Sequence, residues 1–184
     1  MIPVSQTPMG RHYKSFKNEA LQSQYVKSMT AVEEIIGAKH QVNNYRFEGM
    51  EQSKPFPHFH IRHDFVKTMD IPLVAGRSYD ETIQTDDSLA LVVNEAMVRY
   101  MNWGTPQEAI GKRFYFRGEL RGRVVGIVQD YNFISKHKVV ISIFFFYVYE
   151  MDTKWGDTKK NHILGDYANL KIAALHFLVI AIIL

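Results

Sequence analysis

Apolar residues along the chain change their period several times before about position 137, and after it they lose any period. Tyr13, Phe16 and Ala20 recur at spacings of three and four, which predicts a modest amphipathic helix over 11–24. Gly37 and the pair Asn43-Asn44 interrupt the chain, and 45–50 reads as a short strand. Positions 51–57, with Pro55 and Pro57, read as loop. Phe59, Ile61 and His63 then alternate with His58, His60 and Arg62, the period-two pattern of a strand with one buried face. Asp64 stands as an N-cap before a short helix over 65–69, which Pro72 stops. An extended stretch over 73–75 leads to Gly76-Arg77, which opens a polar loop running to 88.

The unbroken apolar run 89–93 predicts a central strand covered on both faces. Asn94 caps the next helix, 95–102, with Glu95 placed to favour the helix dipole. Gly104 ends it. Thr105-Pro106-Gln107-Glu108 is a capping box with proline at the first helical position, and that short helix stops at Gly111. Strands over 113–116 and 123–128 are joined through Gly118 and Gly122 in a hairpin-type connection. The fold class that follows is α+β, a mixed sheet with short helices packed on it.

Beyond about 137 these local rules stop agreeing with one another. Positions 139–149 are almost entirely apolar and aromatic, 152–161 are polar, and 172–184 are apolar apart from His176. This end falls short of the roughly twenty residues a spanning helix needs. The reading is therefore one domain over 1–137, itself partial, followed by a divergent hydrophobic tail over 138–184 from a shifted or truncated reading frame. The N-terminus, Met-Ile-Pro-Val-Ser, has no basic segment followed by an apolar one and so no secretion signal.

Composition changes this picture chiefly by exclusion. With no cysteine among 184 residues, disulfides, thiolate zinc sites and cysteine nucleophiles are ruled out. The formal charge is +3 and the sequence pI about 9.0. No Lys/Arg run exceeds two, so a nucleic-acid partner has no support from the sequence.

Candidate chemistry is sparse. His58, His60, His63 and Asp64 lie within seven residues and match in spacing the H-x-H-x-D-H zinc signature of metallo-β-lactamases. Arg62 stands where that motif needs its aspartate, and a cation opposes a dication. On a strand His58 and His60 share one face while His63 points to the other. A metal-binding or metal-dependent hydrolase function using His58, His60 and His63 is the alternative reading, and the bland one, a polar strand face with Asp64 as a cap, is preferred.

Gly104 to Arg113 contains Gly111-Lys112, but six residues separate its glycines and Arg113 follows the lysine, so it fails as a phosphate loop. Gly118, Gly122 and Gly126 read as turns and close packing. Ser135 and His137 lack a nucleophile elbow around them. Asp86-Asp87 reads as solvated loop, and Glu95 as a helix-start residue and not a general base. No catalytic, cofactor-binding or metal site is assigned, and no cofactor is expected.

The order of segments in the middle is more specific than any motif taken alone. Asp64-Phe65-Val66-Lys67-Thr68-Met69-Asp70-Ile71 is followed by Leu73-Val74-Ala75-Gly76-Arg77, then by Val92-Val93-Asn94-Glu95-Ala96-Met97. Trp103-Gly104, Ala109-Ile110-Gly111-Lys112 and Val124-Val125-Gly126-Ile127-Val128-Gln129-Asp130-Tyr131-Asn132-Phe133 complete the series, with Tyr45-Arg46-Phe47-Glu48-Gly49-Met50 a looser match upstream. This series resembles the MacB-like periplasmic core domain of ABC-transporter permeases of the MacB/FtsX type, in versions common in Bacteroidetes-like permeases. The resemblance covers roughly 13–137.

The resemblance implies a non-catalytic extracytoplasmic domain of a permease subunit in the inner membrane, facing the periplasm. Such a domain relays ATPase-driven motion or contacts cargo and partners. It implies a cytoplasmic ABC ATPase subunit as partner, reached through membrane helices that this chain lacks, and a second permease copy. For the motif residues the physical expectations are structural. Gly76 permits a tight turn, Arg77 anchors the following loop, Asn94 caps its helix, and Gly111 ends the capped turn before Lys112.

Overall fold

The computed structural model describes residues 2–3, 12–32, 41–131, 144–147 and 178–183. Ten strands and five helices lie in these segments. The strands are β1 (Ile2–Pro3), β2 (Val26–Val32), β3 (Gln41–Phe47), β4 (Lys54–Ile61), β5 (Leu73–Gly76), β6 (Ala90–Asn94), β7 (Arg113–Phe116), β8 (Glu119–Val128), β9 (Phe144–Tyr147) and β10 (Leu178–Ile183). The helices are α1 (Tyr13–Ala20), α2 (Phe65–Thr68), α3 (Asp86–Leu89), α4 (Glu95–Tyr100) and α5 (Pro106–Ala109). The fold is α+β with a mixed sheet: β4–β9 and β6–β8 pair parallel, and the other pairs are antiparallel.

The pairings β4–β3–β7–β8–β6–β9 return to β4, so six strands close on themselves. His58 is paired on both edges, to Gln41 of β3 and to Phe144 of β9. Closure is one way to remove the exposed edge that invites pairing with another chain. β2 continues beside the end of β4 through Val32 and Ile61, and it carries β10 and then β1 outward. Two segments beyond position 137, β9 and β10, thus hydrogen-bond to strands of the first part.

Apolar clusters cover both faces of the sheet, and β6 shows why its sequence has no alternation. Ala90 and Val92 join Phe59, Ile61, Phe65, Val66, Ile71, Tyr79 and Val128 on one side. Leu91 and Val93 join Phe47, Phe56, Met97, Trp103, Phe114, Val124 and Ile127 on the other. All five residues of β6 are buried. The central-strand expectation holds, one residue displaced: Leu89 is exposed and closes α3.

Other expectations need correction. Positions 51–57 are not all loop, because β4 begins at Lys54 and includes Pro55 and Pro57. The two prolines are two residues apart, so both missing N–H groups face the same edge. There β9 has not yet begun to pair, while β3 occupies the other edge. Asn43-Asn44 does not break the chain but lies inside β3. β2 was unmarked in the sequence because Met29, Thr30, Ala31 and Val32 are buried in succession, without alternation. α4 stops at Tyr100, two residues early, and β8 starts at Glu119, four residues before the expected 123. β7 and β8 are joined by Arg117-Gly118, both at positive φ (53° and 84°), the two-residue turn whose twist suits a hairpin.

Among the described residues no helix is long and apolar enough to cross a membrane. Gly37, Asn132, Phe133, Ser135, His137 and most of the tail over 138–184 lie outside the described residues.

Candidate functional site

The motif residues converge on three polar knots that tie loops to the closed sheet. In the first, β5 ends at Gly76, whose φ is +69° and where a Cβ would meet the Val125 carbonyl oxygen at 2.2 Å. Only glycine fits so close a backbone approach without displacement. Arg77 N–H then donates to that same Val125 carbonyl (3.0 Å). The Arg77 guanidinium grips Asp86 with both terminal nitrogens, Nη2 to Oδ1 at 2.7 Å, and Asp80 N–H donates to Asp86 Oδ2 (3.0 Å). The Asp86 side chain is 1% exposed against 40% for Arg77. The hydrogen bond to Asp86 raises the Arg77 pKa.

Between them Tyr79 is buried, and its hydroxyl accepts from Val92 N–H of β6 (3.2 Å). Burial pushes the Tyr79 phenol well above its ordinary value. The loop anchor expected of Arg77 is present. Asp86 is not the solvated loop residue the sequence suggested but the buried half of that anchor.

The second knot sits at the start of α4. Asn94 Oδ1 accepts from Met97 N–H (3.0 Å), the cap the sequence predicted. A second acceptor comes from the far end of the motif series: Asp130 Oδ1 accepts from Ala96 N–H (2.7 Å), and its other oxygen pairs with Arg99. Glu95 Oε2 accepts from Asp130 N–H (3.2 Å), so Glu95 locks the strand end to the helix start and does not act as a lone dipole residue. One carboxylate and one amide thus satisfy orphan donors of one short helix, and a second carboxylate holds the first in place. No sequence signal local to α4 marks Asp130, which is 36 positions from Asn94 in the chain.

The third knot holds the β3–β4 turn. Glu48 accepts from Arg113 N–H (3.2 Å), Arg113 Nε (2.9 Å) and Lys112 Nζ (3.4 Å), and its own carbonyl accepts from Trp103 Nε1 (3.0 Å). The Arg113 hydrogen bonds hold the Glu48 carboxyl below its ordinary value, against a smaller opposing effect of burial. Trp103 packs edge-on against Phe47 at 6.0 Å. Next to it the capping box is complete, with Glu108 N–H on Thr105 Oγ1 (3.3 Å) and Thr105 N–H on Glu108 Oε2 (2.7 Å). A segment folded as a capped helix has no cradle of free N–H groups for phosphate. Gly111 N–H donates to the Val124 carbonyl (2.8 Å), fastening the end of that turn to β8.

The structure does not gather the three histidines into one cluster. His58 and His60 share one face of β4, with ring centroids 5.0 Å apart, and His58 is fully buried with its ring edge-on to Tyr45 at 5.6 Å. β4 ends at Ile61, which leaves Arg62 and His63 in the turn before α2. Among the described residues no group of three or more His, Cys, Asp or Glu side chains could hold a metal ion. Asp64 does not cap α2 with its side chain either; it pairs with Lys17 of α1. The physical reason is competition, since an ammonium offers a carboxylate a stronger, charge-assisted partner than an amide does.

No family model and no curated protein matches the sequence. Solved structures do match in fold. The periplasmic region of MacB from Actinobacillus actinomycetemcomitans superposes with a TM-score of 0.52 at 14% identity, over 92% of this chain and 64% of that one. A domain described as belonging to a permease from Porphyromonas gingivalis gives 0.54 at 12% identity, over 90% of this chain and 66% of that one. This chain thus spans slightly under two thirds of either relative. At such identities the likeness is one of fold, and at that level the motif resemblance is confirmed: the chain folds as MacB-type periplasmic domains do.

Proposed function

We propose that this chain serves as the extracytoplasmic domain of an ABC-transporter permease subunit of the MacB/FtsX type, without catalytic activity of its own. The single observation that carries the reading is the shared fold. It gains weight because the polar residues of the motif series are engaged in holding loops to the sheet: Arg77 on Asp86, Asn94 and Asp130 on α4, Glu48 on Arg113. A domain that transmits motion needs loops fixed to a stiff body, and these knots supply that. In this reading the domain faces the periplasm from the inner membrane. It relays movement from a cytoplasmic ABC ATPase, through membrane helices outside this sequence, to cargo or partners, with a second permease copy completing the assembly. In this reading positions 1–137 supply the body of the domain, and β9 from the stretch 138–184 completes its closed sheet.

Sequencing the DNA on both sides of this frame tests the reading. Codons for membrane helices and a neighbouring ABC ATPase gene are the expected result. An isolated frame with neither would overturn it.

A further inference from the structure

We propose that the outer face of the β7–β8 hairpin, extended by β3, binds the surface of an anionic lipid bilayer. The segment from Lys112 to Arg123 carries Lys112, Arg113, Arg117, Arg121 and Arg123 against Glu119 alone, a formal +4. That leaves 17 Lys and Arg against 18 Asp and Glu elsewhere, so the chain's positive excess resides in this one hairpin. The sheet then gathers it onto a face. Arg113 lies opposite Arg123, and Arg46 of β3 lies beside Tyr115, which lies opposite Leu120. Cross-strand neighbours share a face.

Some of this charge is already neutralised. Lys112 and Arg113 share Glu48, and Arg121 pairs with Glu119 at 3.0 Å. Arg46 and Arg123 make no ion pair among the described residues: Arg46 lies 3.8 Å from the centroid of the Tyr115 ring, and Arg123 donates to the Gly111 carbonyl (3.2 Å). Arg117, in the turn, lies over the Phe116 ring at 5.2 Å. Leu120 is 53% exposed within this cationic set.

An acidic protein surface would match the charge, but the arrangement of side chains favours a bilayer. Arg46 stacked on the Tyr115 ring, with the exposed Leu120 opposite Tyr115 on the same face of a narrow hairpin, presents a cation at the depth of lipid phosphates and apolar groups just below. Interfacial segments combine basic and aromatic residues in this way, and guanidinium grips phosphate bidentately. The proposal stands on the hairpin's own charge and exposure and does not depend on the permease reading.

The test uses the 184-residue chain with vesicles of phosphatidylcholine containing 30% phosphatidylglycerol, and with phosphatidylcholine alone. Binding to the anionic vesicles only, abolished by 0.5 M NaCl, is expected. Each cation removed lowers partitioning about fivefold, so Arg46→Gln and Arg123→Gln combined lower it about twenty-five-fold, while the same two changes to Lys retain it. Because the chain has no cysteine, Leu120→Cys carrying an environment-sensitive dye reports depth, and a blue shift on anionic vesicles is expected.

Unchanged binding by the Gln variant, equal binding to neutral vesicles, or no dye shift would overturn the proposal. So would equal affinity for polyglutamate or duplex DNA, which would mark an acidic protein or nucleic acid as the partner. Competition by 10 mM inorganic phosphate at constant ionic strength would likewise overturn it, in favour of a discrete phosphate site.

Discussion

The Arg77–Asp86 pair should be asymmetric when broken. Asp86 has a side chain 1% exposed, Arg77 one that is 40% exposed. Arg77→Met removes both guanidinium contacts and strands the carboxylate in the protein with Asp80 N–H as its remaining donor. Breaking a fully buried pair in this way costs about 3–5 kcal/mol; with one member partly hydrated, about 3 kcal/mol is expected here. Asp86→Asn keeps the shape and frees a guanidinium that can turn to water, so about 1.5 kcal/mol is expected, the low end for a charged hydrogen bond. The double variant, which buries no stranded charge, should be more stable than Arg77→Met alone.

Urea unfolding followed by circular dichroism measures all three, and equal slopes with urea would show that the unfolded states remain comparable. For a chain of this length roughly 3 °C per kcal/mol applies, so Arg77→Met should lower Tm by about 9 °C. Arg77→Met costing no more than Asp86→Asn, or a double variant weaker than both singles, would refute the reasoning. Burial of the carboxylate would then not be what sets the magnitude.

Three further outcomes follow from the same geometry. Gly76→Ala places a methyl group 2.2 Å from the Val125 carbonyl oxygen at a φ of +69°; a loss of about 2–3 kcal/mol in urea unfolding is expected. Asn94→Ala should cost about 1 kcal/mol and Asp130→Ala a similar amount, and because both serve the first turn of α4 their combination should depart from additivity. A strictly additive pair would argue against a shared knot. Glu48 has a lowered pKa when folded, chiefly through Arg113. Its contribution is therefore present above its ordinary value of 4.5 and lost as the pH falls through the lower, folded value. Glu48→Gln should flatten the acid limb of stability against pH below about 4.5, and an unchanged acid limb would contradict the assignment.

Local chemistry was legible in the sequence wherever the partner lies a few residues away. The Thr105–Glu108 box, the Asn94 cap, the glycine at 76 and the buried run in β6 all follow from rules that act within a turn or a strand. The segment order also carried the likeness of fold, because spacing between short elements is itself one-dimensional information.

What only the tertiary structure decided are the pairings over long separations. Asp130 reaches Ala96, Glu48 reaches Arg113, and Lys17 takes Asp64 from the cap it was expected to make. β4 runs through two prolines because its neighbours leave one edge open at that point. His58 reads as part of a polar strand face and is instead a fully buried ring against Tyr45. Residue types and short spacings state which partners a side chain could accept. Which one it takes depends on which competitor the closed sheet brings within 3 Å, and no local pattern along the chain encodes that.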